Sequence, residues 1–61
     1  MPILTINDLQ ALTGQMDRER ELYSRYLAAM EQTQDQHMKE QFQDYAQQHL
    51  QNYTELLDHL C

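Results

Sequence analysis

The chain has 61 residues and a net charge of −6, with ten acids against four bases. A chain of this length buries only about 60% of its unfolded surface, which excludes a second domain and leaves the fold marginal without a partner. The acidic balance argues against nucleic acid as that partner, because phosphate binding needs clustered Lys and Arg. The one cysteine, Cys61, rules out an internal disulfide and leaves only a link between two chains.

No apolar run approaches the roughly 20 residues that span a bilayer. The opening MPILTIND has neither the basic flank nor the long apolar stretch of a signal peptide. The expectation is a soluble protein of a reducing compartment, with no membrane partner.

Val and Trp are absent, Gly14 and Pro2 are the only strong breakers, and Gln, Glu, Leu, Ala, Met and Arg dominate, so the chain is predicted to be all-α. The first helix has an explicit start. Thr5 is placed to cap it, Asp8 to return the bond three residues on, and Leu4 and Leu9 to form the flanking hydrophobic staple. Leu9, Leu12, Met16, Tyr23, Tyr26, Leu27 and Met30 then keep a three-four spacing, which predicts one helix over about residues 6–32. Gly14 weakens that helix by about 1 kcal/mol relative to Ala without breaking it. The run DRERE alternates sign, as a solvated face does, and Glu21 precedes Arg25 by the four residues that favour a surface pair.

The rhythm pauses at EQTQDQH, where Thr33 and Asp35 are both suited to cap a second helix and Gln36 would complete a box from Thr33. This predicts a turn over about residues 33–35. Met38, Phe42, Tyr45, His49, Tyr53, Leu56 and Leu60 continue the apolar spacing and predict a second helix over about residues 36–60. The Gln-rich surface between the two stretches fits an ordinary helix face better than a low-complexity segment.

Folding at the turn gives an antiparallel two-helix hairpin in which Met30 faces Met38, Tyr26 faces Phe42, Tyr23 faces Tyr45, Met16 faces Asn52 and Leu12 faces Leu56. Glu19 fills the missing beat between Met16 and Tyr23 and falls opposite His49, so the two polar interruptions of the stripes face each other. A lone hairpin leaves much of each stripe wet, and two hairpins close a four-helix bundle. The expectation is a homodimer whose core holds Leu12, Met16, Tyr23, Tyr26, Met30, Phe42, Tyr45 and Leu56, with two-fold symmetry bringing two Glu19 and two His49 to its middle.

The run YLAAMEQTQDQHMKEQFQDYAQQHLQNYTELL resembles the two-helix core of the Coat F family of bacterial spore coat proteins, which belongs with the ferritin-like helical bundles. The likeness is carried by Tyr26 and Glu31, Asp35 in the turn, Phe42, and His49 two turns later, and it covers most of residues 9 to 60. It implies a ferritin-like bundle and a role in a spore coat or in sporulation, with the cytoplasm or the coat as location. The family's Gly-Trp-Tyr-like ending is replaced here by LLDHLC.

Ferritin-like di-iron sites combine a Glu on one helix with Glu-x-x-His on the next. Glu19 and His49 supply two of those parts, but Ala46 stands three before His49, Glu55 precedes His59 by four, and Gln34 precedes His37 without offering a charge. A mononuclear Zn or Fe site is the form that such a pair allows. The plainer expectation is a polar pair that satisfies two groups near the core and fixes register. A weaker contact of the same kind is available to Asp8 and His59 at the open end of the hairpin.

His37 is expected to be exposed. The four tyrosines are expected at the edge of the core with hydroxyls reaching water, and Met16, Met30 and Met38 to act as adaptable fillers. Cys61 lacks a positioned base, and no Ser-His-Asp set, phosphate-cradling glycine loop or Cys-x-x-Cys occurs. The functional expectation is therefore a non-enzymatic assembly protein. A small regulatory module that docks on another helical protein and a metal-binding bundle stand as alternatives.

Overall fold

The computed structural model describes residues 4–60. Two helices, α1 (Ile6–Gln32) and α2 (Gln36–Asp58), fold back on each other across a turn at residues 33–35. The start of α1 follows from its capping chemistry. The Thr5 hydroxyl accepts the Asp8 N–H at 3.0 Å and the Asp8 carboxylate accepts the Thr5 N–H at 3.2 Å, which satisfies two donors that the first helical turn leaves unpaired.

The two candidate caps of the turn divide the work. Thr33 ends α1 in extended conformation and donates its N–H to the Ala29 carbonyl at 3.1 Å, while its hydroxyl accepts the Asp35 N–H at 3.2 Å. Asp35 caps α2 by accepting the Met38 N–H at 3.0 Å. A box from Thr33 to Gln36 does not form, because with Asp35 as cap Gln36 is the first helical residue and Met38 occupies the reciprocal position. α2 closes at Asp58, two residues before the end expected from the apolar spacing. The His59 and Leu60 N–H groups donate to the Leu56 and Leu57 carbonyls at 3.1 and 3.0 Å, a tightened final turn that satisfies carbonyls left free at the helix end.

The seam between the helices keeps a strict three-four alternation. On α1 the buried and half-buried positions include Leu12, Met16, Glu19, Tyr23, Tyr26 and Met30, with Thr33 just past its end; on α2 they include Lys39, Phe42, Ala46, His49, Tyr53 and Leu56, with Leu60 just past its end. Two places in α2 correct the sequence expectation. Met38, at 38% exposure, and Tyr45, at 50%, lie one position off the seam, and Lys39 and Ala46 take their places.

The reason is the shape of the contact. Positions 42, 45, 46 and 49 frame one hole on the surface of α2, and the Tyr26 ring sits against three of its corners, with centroids 6.1 Å from Phe42, 5.2 Å from Tyr45 and 5.5 Å from His49. Ala46, the fourth corner, is 1% exposed. A small side chain there lets the helices approach, whereas a tyrosine would hold them apart. The same packing turns Tyr45 from the expected partner of Tyr23 into a neighbour of Tyr26 at the rim of the seam.

The hairpin is a rod of 47 × 16 × 11 Å. Among the described residues only Met16, Glu19 and Ala46 are buried, so the two helices alone make a thin core. No described helix is long and apolar enough to cross a membrane.

Two substitutions test this packing. A Cβ at Gly14 would meet nothing within 4 Å, so Gly14→Ala is expected to stabilise the fold by about 0.5–1 kcal/mol in chemical denaturation. Ala46→Leu is expected to cost about 1–3 kcal/mol by overfilling the hole that receives Tyr26; a neutral result would show that the helices do not meet there.

Candidate functional site

The seam has one polar layer. His49 Nδ1 lies 2.6 Å from Glu19 Oε2, and the Asn52 side-chain amide donates to the same oxygen at 3.4 Å. Glu19 is 9% exposed, and the His49 side chain is 22% exposed. Helical geometry brings these groups together. Glu19 stands seven residues before Tyr26, so it faces the next hole of α2 along the seam, the one framed by positions 49, 52, 53 and 56. Two corners of that hole, His49 and Asn52, offer Glu19 hydrogen bonds, which is what a carboxylate needs when it replaces a hydrophobic knob.

An ionised carboxylate only accepts hydrogen bonds, so Nδ1 carries the proton and donates it to Glu19. Nε2 is then the ring's acceptor whenever the imidazole is neutral. Tyr26 fixes the plane of the ring, because the two rings stack 5° from parallel at 5.5 Å. The histidine is therefore held on one face by an aromatic ring and at one edge by a carboxylate. Burying either polar group alone would be costly, and pairing removes most of that cost. Among the described residues no buried side-chain nitrogen or oxygen lacks a hydrogen-bond partner.

Glu19 also lines an open groove of about 310 Å³ with Gln15, Asn52, Glu55, Leu56 and His59. The groove gathers carboxylates and an imidazole, but no group of three His, Cys, Asp or Glu side chains among the described residues comes together closely enough to hold a metal ion. A Zn or Fe ion at Glu19 and His49 would therefore need ligands beyond the described His, Cys, Asp and Glu side chains. The position where a ferritin-like Glu-x-x-His would carry its glutamate is Ala46, the most tightly covered position of the helix contact.

The other residues singled out in the sequence fall as follows. Met16 is buried; Leu12, Tyr23, Tyr26, Met30, Phe42 and Leu56 are half-buried, all at positions of the hairpin's own seam; Tyr45 is exposed. Asp8 and His59 are both exposed, and Asp8 bonds to Thr5. His37 is exposed, and Met16, Met30 and Met38 are spread along the rod. Cys61 lies outside the described residues. On the surface of α1, Arg25 bonds Glu21 at 2.7 Å and Arg20 lies 3.6 Å from Asp17, both exposed pairs of small energetic weight.

Sequence reasoning missed Ala46 and Lys39 as seam positions, and it set Asn52 opposite Met16 without its bond to Glu19. Counting threes and fours outward from His49 finds the first two, since 46, 42 and 39 continue the alternation without regard to hydrophobicity. The register brings Asn52 to the seam, but only the placement of Glu19 beside it gives its amide a role.

No family model matches the chain, and comparison with curated proteins and with solved structures likewise finds no match.

Substitution of the pair measures its coupling. Glu19→Ala and His49→Ala are each expected to cost about 1–3 kcal/mol, because each leaves the other partner unsatisfied. The double variant is expected to lose at least about 0.5 kcal/mol less than the two losses combined. Strictly additive losses in urea denaturation would show two independent surface contacts.

Proposed function

We propose that this protein is a structural assembly element: a helical hairpin that works by burying its remaining apolar surface against other helices, first those of a second copy, as a ferritin-like four-helix bundle of a bacterial spore coat. The observation that carries this reading is the balance of surface. The chain exposes 4981 Å², against about 4,200 Å² for a compact monomer of its 7.4 kDa. The excess of about 800 Å² equals what one partner contributes to a standard protein interface.

The exposed surface is also of the kind that association covers. Leu4, Leu9, Leu50 and Leu57 are 41–45% exposed and Ile6 is 74% exposed. Burying a leucine fully is worth about 1.5–3 kcal/mol, so covering a few of them supplies stability that the thin seam lacks. The coat assignment rests on the likeness of the Tyr26-to-Leu57 stretch to the Coat F core. A structural role agrees with a polar layer whose carboxylate and imidazole are engaged with each other.

Sedimentation or light scattering at micromolar concentration is expected to give twice the 7.4 kDa of one chain. The thermal midpoint is expected to rise with protein concentration, as mass action requires. A single-chain mass with a concentration-independent midpoint would remove the self-association reading. Recovery of the chain from the coat fraction of purified spores tests its location, and its absence there would remove the coat assignment.

A further inference from the structure

We propose that the second copy docks on one particular flank of the hairpin, the one that carries Leu50 and Leu57, with the two turns at the same end of the bundle and the two Glu19–His49 pairs kept apart. This rests on the self-association reading above and adds the face, the orientation and the fate of the polar pair.

In an antiparallel helix pair with a three-four seam, the positions flanking the seam fall on two opposite sides. Leu27, Leu50 and Leu57 each follow a seam residue, namely Tyr26, His49 and Leu56, and stand on one flank. Leu22, Met38, Tyr45 and Asn52 each precede a seam residue and stand on the other. The groove fits this division, since Gln15, Asn52 and His59, which line it, all precede seam residues.

The two flanks differ in chemistry and in where their apolar part lies. The first is aliphatic toward the open end of the hairpin, where Leu50 and Leu57 are 45% and 41% exposed and Leu9, at the end of the seam, is 43% exposed. The second is polar at that end and presents the exposed Met38 and Tyr45 toward the turn. At the edge of the first flank Asp17 and Arg20 pair with each other at 3.6 Å.

Area and pattern then fix the orientation. A face of 47 by 16 Å offers about the 800 Å² that a standard interface takes from each partner only if the copies overlap along their full length. Stacking them with turns at opposite ends would set Leu50 and Leu57 against the Lys39, Gln43 and Glu40 region. Stacking them with turns together sets Leu57 of one copy level with Leu9 of the other, twice, by a two-fold axis parallel to the helices. The groove beside Glu19 then faces solvent on the outer side of each hairpin, and the symmetric contact builds no shared carboxylate-imidazole cluster.

The test compares two variants by sedimentation, with helicity followed by circular dichroism. Leu50→Glu with Leu57→Glu is expected to weaken dimerisation at least tenfold, and Met38→Glu to leave it unchanged. Because the leucine variant can fail to fold, hydroxyl-radical footprinting of the unaltered chain across a dilution series is the second measurement. Leu9, Leu50 and Leu57 are expected to gain protection with concentration while Tyr45 and Met38 do not. Dissociation of the Met38 variant, or concentration-dependent protection at Met38 and Tyr45, overturns the assigned face while the self-association reading stands. A wild-type chain that remains single at every concentration removes both.

Discussion

The register of this hairpin depends on one contact, the seating of Tyr26 in the hole of α2 whose closed corner is Ala46. An aromatic knob fills such a hole only if the opposing helix comes close, and Ala46, 1% exposed, permits that approach. Once Tyr26 is seated, helical periodicity sets the rest. Glu19, two turns earlier on α1, is carried to the next hole, where His49 and Asn52 present their donors. The aromatic layer and the polar layer share His49, which stacks on Tyr26 and bonds to Glu19. They therefore form one connected unit.

That unit gives the seam a specificity its apolar residues do not provide. Met16 and Met30 pack adaptably and would tolerate a sliding register. A buried carboxylate does not, because moving it by one helical turn would strip it of donors at a cost larger than the gain from any single methionine contact. The same argument accounts for the tolerance of so much Gln on the outer faces. Uniqueness is set inside the seam, and the outer surface has only to favour helix and stay hydrated.

The proposed assembly rests on what the seam leaves over. Two helices crossing as a thin rod cover one stripe each, and the residues beside the stripes divide between an aliphatic flank near the open end and an aromatic and methionine flank near the turn. A copy that covers the first leaves the second, together with the polar groove beside Glu19, on the outside. In the proposed bundle the Met38 and Tyr45 surface near the turns stays uncovered.

Much of the architecture was legible in the amino-acid order, because it depends on local chemistry. Thr5 and Asp8 start α1, Asp35 starts α2, the absence of proline between them keeps each helix whole, and counting outward from the turn already sets Glu19 opposite His49. The composition of the seam was less legible. Hydrophobicity pointed to Met38 and Tyr45, whereas close packing selected Lys39 and Ala46, since what a seam position needs is a fitting volume at the correct angle, and that volume is fixed by the ring across the gap. Asn52 joined the polar layer for a similar reason, as its amide gains significance only when a carboxylate from thirty-three residues away arrives beside it. Local order thus determined the two helices and their turn, and the tertiary structure decided which side chains meet, because depth of approach between helices is a property of pairs of surfaces and cannot be read from either one alone.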